Sequence, residues 1–541
     1  MGDKRLIKNG LVMDGTGTPA FRADLLVEND RILDVGLFPE VKTAKTIDAQ
    51  GLVVAPGFID AHTHLDFFLP VPRHAEVLKS WAFQGVTTIV AGNCGFSPAP
   101  LDHKAEDSLS TYWNFALPRD GLDFQWTSMD EYLTFLETVG QAFNVAILTG
   151  HNTLRTSAMG LEARFATENE VSEMKRMLKE SLKAGSIGLS IGLFYCPGIF
   201  SHTDELVDLA SVMTDFGGPL VTHTRGLGRN YDKAVAEVIH IAETNRIPLH
   251  LSHHAGGRGE ARTRTMQLIK EAQDRGVPIG HDNIPWAFGP TTVLALLPPW
   301  LFDGGLDKFF SRLKNPDIRK LAIDELENFI PEWPNWEHNY WTDKFFGFSN
   351  VLYGFRKEKN LKYEGLMMKD IVEESDQNEY DAIFDLILEE QGRLFIMGGG
   401  ADNPQGDDYM GHLLSDPDCS VMTDIIGADF KPNNPAAYGA FTKVLGFYAR
   451  DKKIMTQEEA VRKMTSLPAR QMRLKDRGLL RKGAFADITI FNPHTVNNRA
   501  SFSQPYRLSE GIEHVIINGE VILEKGEYRA DAFAGRVLRR S

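Results

Sequence analysis

Short apolar runs recur through the middle of the chain. Each is followed by a stretch in which apolar positions return every three or four residues. The runs at 57–61, 86–92, 145–150, 187–191, 219–223, 248–253, 277–282 and 420–424 read as strands, and stretches such as 168–184 and 231–243 read as amphipathic helices. Strands apolar on both faces, alternating with helices, predict a parallel sheet covered on both sides; eight of them predict an α/β fold of the (β/α)8 TIM-barrel class. The two ends differ. Residues 5–11, 24–28, 31–35 and 46–48 are short strand-like segments divided by Gly, Asn and Asp, as are 487–491, 512–517 and 520–523, with Asn518-Gly519 as a hairpin turn. The expected organisation is a barrel over 55–477 and one small β-sandwich domain formed by both chain ends, 1–54 and 478–541. The connection between the last two barrel strands is far too long for a loop. This insertion, at about 286–418, is expected to fold on its own and lid the barrel mouth.

Composition narrows the class. With 541 residues, 43% hydrophobic and 24% charged, the chain has the balance of a globular protein rather than a disordered one. A net charge of −15 without a basic segment argues against nucleic acid or an anionic membrane as partner. Three cysteines cannot make a disulfide framework, the N-terminus lacks an apolar signal core, and no apolar run is of bilayer length. The expectation is a cytoplasmic protein with a small-molecule partner, a homo-oligomer remaining open.

Candidate chemistry sits at the strand ends. His62 and His64 follow the first strand, and residues two apart on extended backbone point the same way. The second strand runs into Cys94, the fifth ends at His223, the sixth at His253 and the eighth at Asp424. Carboxyl ends of barrel strands are where such folds keep catalytic groups. Thiolate, imidazole and carboxylate converging on one mouth favour zinc.

These residues, with Gly-Phe-Ile-Asp-Ala-His-Thr-His at 57–64, Gly-Asn-Cys-Gly-Phe-Ser-Pro at 92–98, Gly-His-Asn-Thr-Leu-Arg at 150–155 and Ser-His-His at 252–254, resemble the amidohydrolase superfamily, and within it the N-acyl-D-amino-acid deacylase (D-aminoacylase) family. The resemblance covers nearly the whole chain. It implies one tight zinc held by Cys94, His223 and His253, with Cys94 standing in for the lysine that many superfamily members place on the fourth strand. A second, weaker or empty metal position would lie near His62, His64 and Asp424. Asp424 would take the proton of the attacking water and pass it to the leaving nitrogen. Arg225 and Tyr195 are candidate substrate contacts.

The chain also departs from the family. Ala255 stands where a lysine follows Ser-His-His, Ile284-Pro285-Trp286 replaces Tyr-Pro-Tyr, and Asn434-Pro435-Ala436 replaces a His-Pro-Arg whose arginine grips the substrate carboxylate. Cationic and hydroxyl groups give way to apolar ones, with Trp286 as a substrate-lining residue, unless Lys431, Arg258 or Lys443 rebuilds the clamp. The expected reaction is hydrolysis of a bulky or apolar N-acyl amide rather than of a standard N-acyl-D-amino acid. Aromatic residues of the insertion (Phe288, Trp300, Trp333, Trp336, Trp341, Phe345, Phe346) are expected to form its own core for the most part, some facing the pocket. Rival readings are a cyclic amide, lactone or ester hydrolase or a lyase on the same metal site, and a catalytically silent scaffold.

Overall fold

The computed structural model describes residues 4–41, 43, 45–228, 230–254, 259–328, 332–334, 348–398, 404–427 and 434–540. Eight parallel strands form the barrel in chain order: Phe58–Asp60, Val86–Ala91, a third in two parts (Asn144–Ile147 and Thr149–Gly150), Leu189–Gly192, Leu220–His223, Leu249–Leu251, Ile279–Asn283 and Cys419–Val421. The third strand pairs with the second through its first part and with the fourth through its second. The ring closes where Thr63 bridges Ile425 in parallel. The eight runs read from the sequence fall on these strands because a strand covered on both faces is predominantly apolar rather than alternating with polar positions.

The helices around the barrel stop and start where their caps dictate. Glu168–Ala184 opens on a capping box, with the Thr167 hydroxyl accepting from Glu170 N–H and the Glu170 carboxylate returning to Thr167, and ends at Gly185 in the left-handed region. Its buried face, Met174, Met177, Leu178, Ser181 and Leu182, keeps the three-and-four spacing of one helical stripe.

Strands from both chain ends join a single nine-stranded sheet. Val53–Pro56 lies between the first strand, Lys4–Val12, and the C-terminal strand Ile488–Phe491. The sheet curls until Arg31, on its far edge, bridges Phe485 just before that C-terminal strand. Ile7, Leu25, Ile32, Ile488, Ile490 and Ile516 fill the core it encloses. Asn518 and Gly519 both take positive φ, as the tight hairpin between Ile512–Ile517 and Glu520–Glu524 requires.

Between the seventh and eighth strands the chain builds a three-stranded antiparallel sheet, Gly289–Thr292, Phe395–Gly398 and Val351–Tyr353, with helices that include Leu306–Leu313 and Glu379–Glu389. Some of its aromatic residues serve its own packing, Trp300 donating to Glu325 (2.6 Å) and Phe348 meeting Tyr380, while Phe302 packs on Tyr112 and Phe288 on Phe502. Trp336, Trp341, Phe345 and Phe346 lie outside the described residues, as do Ala255, Arg258 and Lys431. Among the described residues no helix is long and apolar enough to cross a membrane.

Asp487 ties the terminal sheet to the barrel. It is buried, ion-paired with Arg477, and accepts from Asn144 Nδ2 (3.2 Å) and Asn518 N (2.9 Å). Asp487→Ala strands the Arg477 charge, and by the usual cost of breaking a buried pair it should remove about 3–5 kcal/mol of stability. Chemical denaturation would report this as a lowered midpoint; an unchanged midpoint would show that the pair does not hold the junction.

Candidate metal centre

The barrel brings the six ligand-type residues read from the sequence to one rim. Cys94 Sγ lies 3.4 Å from His62 Nε2, 3.5 Å from His223 Nδ1 and 3.7 Å from His253 Nε2. Asp424 Oδ1 lies 3.4 Å from His62 Nε2 and 3.4 Å from His64 Nε2. With zinc–sulfur bonds of about 2.3 Å and zinc–nitrogen bonds of about 2.0–2.1 Å, a tetrahedral ion sets its sulfur and nitrogen ligands about 3.5 Å apart. The spacings therefore match the edges of a coordination polyhedron. Three groupings each bring their ligand atoms within 4.8 Å: His62, His64 and Cys94; Cys94, His223 and His253; His62, His253 and Asp424. Cys94, His62 and His253 each belong to two of them, so neighbouring ions would share ligands.

Local backbone explains how the donors reach this rim. Cys94 (φ 52°), His253 (φ 37°) and Asp424 (φ 49°) all occupy the left-handed region. Non-glycine residues held in such conformations cost about 1–3 kcal/mol each and cluster at functional sites. Gly92 precedes the first of them at φ 83°, where a Cβ would sit 2.3 Å from the Leu148 carbonyl oxygen. At Gly192, on the fourth strand, a Cβ would come within 1.9 Å of the Cys94 carbonyl oxygen. The end of the fourth strand is thus kept free of a side chain, and the loop carrying the thiol occupies the space.

Beneath the donors lie carboxylates that the sequence reading missed. Asp282 accepts from His250 Nε2 (2.8 Å) and from His253 N–H (2.5 Å), and its Oδ2 lies 3.5 Å from His62 Nδ1. Asp60 accepts from Thr423 N–H (3.1 Å), Thr423 Oγ1–H (2.7 Å) and Trp81 Nε1–H (2.9 Å), pinning the residue before Asp424. Both were legible only as single acids inside apolar strands, Asp60 two residues before the first histidine. Such outer partners fix the orientation of metal ligands.

The charges interlock. Burial pushes the Cys94 thiol up, but the surrounding His62, His223 and His253 hold it well below its ordinary value. Burial opposes a charge on His64, yet Asp424 and Cys94 push it up to about 9. Burial and the neighbouring His253 push His223 down to about 4. Asp424 is lowered despite its burial, because His62, His64 and His253 surround it. Burial pushes Asp60 up to about 6.

The three expected substrate contacts separate. Tyr195 stands beside the centre, its ring 4.8 Å from His223 and its hydroxyl 3.1 Å from Thr291 Oγ1. It belongs to an aromatic wall not anticipated from the sequence: Trp113 lies 5.4 Å from His64 and stacks on Phe96, and Phe194 lies 5.5 Å from His223. Trp286 is buried under Lys443, whose Nζ sits 4.1 Å above its ring and pairs with Asp407 (2.5 Å). That pairing spends the charge of the lysine considered for a rebuilt clamp. Arg225, a candidate either for orienting substrate or for a structural salt bridge, is buried, donates to both oxygens of Glu237 (3.0 and 3.1 Å) and reaches the carbonyls of Ile199 (2.7 Å) and Ser201 (3.1 Å). A guanidinium committed to four such bonds is a structural brace.

Comparison with known proteins identifies the family. A model of the amidohydrolase family matches residues 45–294 and 382–523. The chain is 31% identical to the D-aminoacylase of Alcaligenes xylosoxydans xylosoxydans, over 99% of this chain and 97% of that protein. It superposes on an N-acyl-D-glutamate deacylase from Bordetella bronchiseptica, complexed with zinc and a phosphonate mimic of the tetrahedral intermediate, with a TM-score of 0.79 at 28% identity and full coverage of both chains. A D-aminoacylase structure described as having a binuclear metal centre, with one-metal activation and second-metal attenuation, gives a TM-score of 0.80 at 29% identity, again over both whole chains.

The brace assigned to Arg225 has a measurable signature. Arg225→Ala leaves Glu237 charged and buried on the helix Tyr231–Asn245, so stability should fall by about 3–5 kcal/mol. The KM of the protein that remains folded should stay unchanged. A raised KM with intact thermal stability would return Arg225 to the substrate.

Proposed function

The chain belongs to the amidohydrolase family and is a hydrolase of carbon–nitrogen bonds other than peptide bonds, and from this premise we propose that it is a zinc-dependent deacylase of N-acyl amides. The observation that carries the reading is the convergence of Cys94, His62, His64, His223, His253 and Asp424 at zinc-ligand spacing on the carboxyl rim of the barrel. In this reading Cys94, His223 and His253 hold the tight zinc, and His62, His64 and Asp424 border a second, weaker position. Bound there, zinc supplies Lewis acidity to the acyl oxygen and to the attacking water.

The protein's own groups supply the proton transfers and the orientation. Asp424, kept ionised at neutral pH by the histidines around it, accepts the proton of the attacking water. It returns that proton to the amide nitrogen as the tetrahedral intermediate collapses, so the amine departs neutral. Asp282 and Asp60 keep His62 and Thr423 from turning. Tyr195 and Trp113 border the donors and exclude water from the reacting amide.

The substrate we propose is bulky and apolar on its acyl side and carries no obligatory α-carboxylate. Two features support this. Where the family grips a carboxylate, this chain buries Ile284, Trp286 and Ala436, and the wall of Phe96, Trp113, Phe194 and Tyr195 stands directly against the histidines. An apolar group buried on such a wall gains about 25 cal/mol per Å².

Two measurements test this. Elemental analysis should find tightly bound zinc lost in Cys94→Ala and kept in Asp424→Asn, with turnover abolished in the second; full zinc in the first, or turnover in the second, would reassign the roles. The kcat/KM of an aromatic amide lacking a carboxylate should exceed that of N-acetyl-D-glutamate. A hundredfold advantage for the acidic substrate, about 2.7 kcal/mol in the transition state, would mean that other residues have rebuilt the clamp.

A further inference from the structure

The face of the barrel opposite the metal donors carries a cavity of about 520 Å³. Ile187 leads into the fourth strand and Phe216-Gly217 lead towards the fifth, which puts the cavity at the amino ends of the strands. Its walls come largely from two segments remote in sequence, 472–477 and the chain end at 536–540. The chain end is fixed in place by backbone hydrogen bonds: Val145 N–H donates to the Arg536 carbonyl (2.9 Å), Leu538 N–H to Val145 (2.7 Å) and Arg540 N–H to Gly185 (2.9 Å). The cavity is therefore built before anything enters it.

Its charge runs against that of the molecule. Arg473, Lys475, Arg477, Arg536, Arg539 and Arg540 line it against a single carboxylate, Asp476, on a chain of net charge −15. Some of this charge is already matched: Arg477 pairs with Asp487, Arg536 with Asp30, and Arg539 with Asp130 and Glu137. Asp476 is engaged by Arg31 and Arg481. Arg473 and Arg540 have no carboxylate partner among the described residues, and Arg540 Nη1 is buried without a hydrogen-bond acceptor. A guanidinium does not shed its proton to escape that situation. Arg540 as a whole is half-buried, but its Nη1 lies out of solvent with no acceptor, and an anion in the cavity would supply the missing partner. Phe216, 5.3 Å from the Arg540 guanidinium, together with Leu474 gives the same cavity an apolar side.

We propose that this cavity is a binding site for a small molecule carrying a phosphate or carboxylate on an apolar body, with Arg540 and Arg473 as its anion-binding residues. The site is separate from the metal centre and uses none of its residues.

The test is isothermal titration calorimetry of the zinc-loaded, full-length protein with phenyl phosphate and, separately, phenylacetate. The two arms distinguish the phosphate from the carboxylate. At least one probe should bind saturably, and the Arg473→Gln/Arg540→Gln variant should bind it at least about tenfold more weakly, a loss of about 1.4 kcal/mol, with kcat/KM on an amide substrate unchanged. Arg473 is solvent-exposed, so Arg473→Gln alone carries the same comparison if the double variant fails to fold. Saturable binding that is equal in wild type and variant would belong to the metal centre and overturn the proposal. Absence of saturable binding by both probes would overturn it as well.

Discussion

The whole centre depends on the seam where the eighth barrel strand meets the first. Asp424 N–H donates to the His62 carbonyl, His64 N–H donates to the Ile425 carbonyl, and Asp60 grips Thr423 across a separation of 363 residues. His62, His64 and Asp424 sit on this seam, so closing the barrel and assembling half of the donor set are one event. The entropic cost of such a distant closure grows only slowly with the length closed. It is offset by the buried strand pairing on either side rather than by the few polar contacts at the rim.

The other donors approach by a different device. Cys94 and His253 leave their strands through left-handed residues, and the thiol loop takes the space that Gly192 leaves open at the end of the fourth strand. Backbone strain at Cys94 and the missing side chain at Gly192 go together, because the thiol loop lies over the end of the fourth strand only where that strand carries no Cβ. The buried carboxylates Asp60 and Asp282 restrain what that strain would otherwise release.

Much of this was legible in the sequence, for physical reasons. Strands covered on both faces read as unbroken apolar runs, and ligands read as polar residues at their ends. Arg225 stayed ambiguous between substrate contact and salt bridge because a cation two residues after a ligand-type histidine looks the same in either case; only the fold brings Glu237 of the following helix to it. Asp60 and Asp282 were opaque because a lone acid in a strand gives no sign of its partners. The aromatic wall went unread because part of it comes from Trp113, in the segment after the second strand. There its spacing carries no periodic signal, and its contact with His64 arises only in three dimensions.

The terminal sheet has a consequence for how the chain is made. Val53–Pro56 finishes one side of its ladder on Ile488–Phe491, which leaves the ribosome only after the entire barrel has been synthesised. At about 5–20 residues per second, the first strands wait for tens of seconds with one edge open to pairing with other chains. A chain interrupted anywhere within the barrel leaves Val53–Pro56 without this partner, and the open edge stays a template for pairing with other chains.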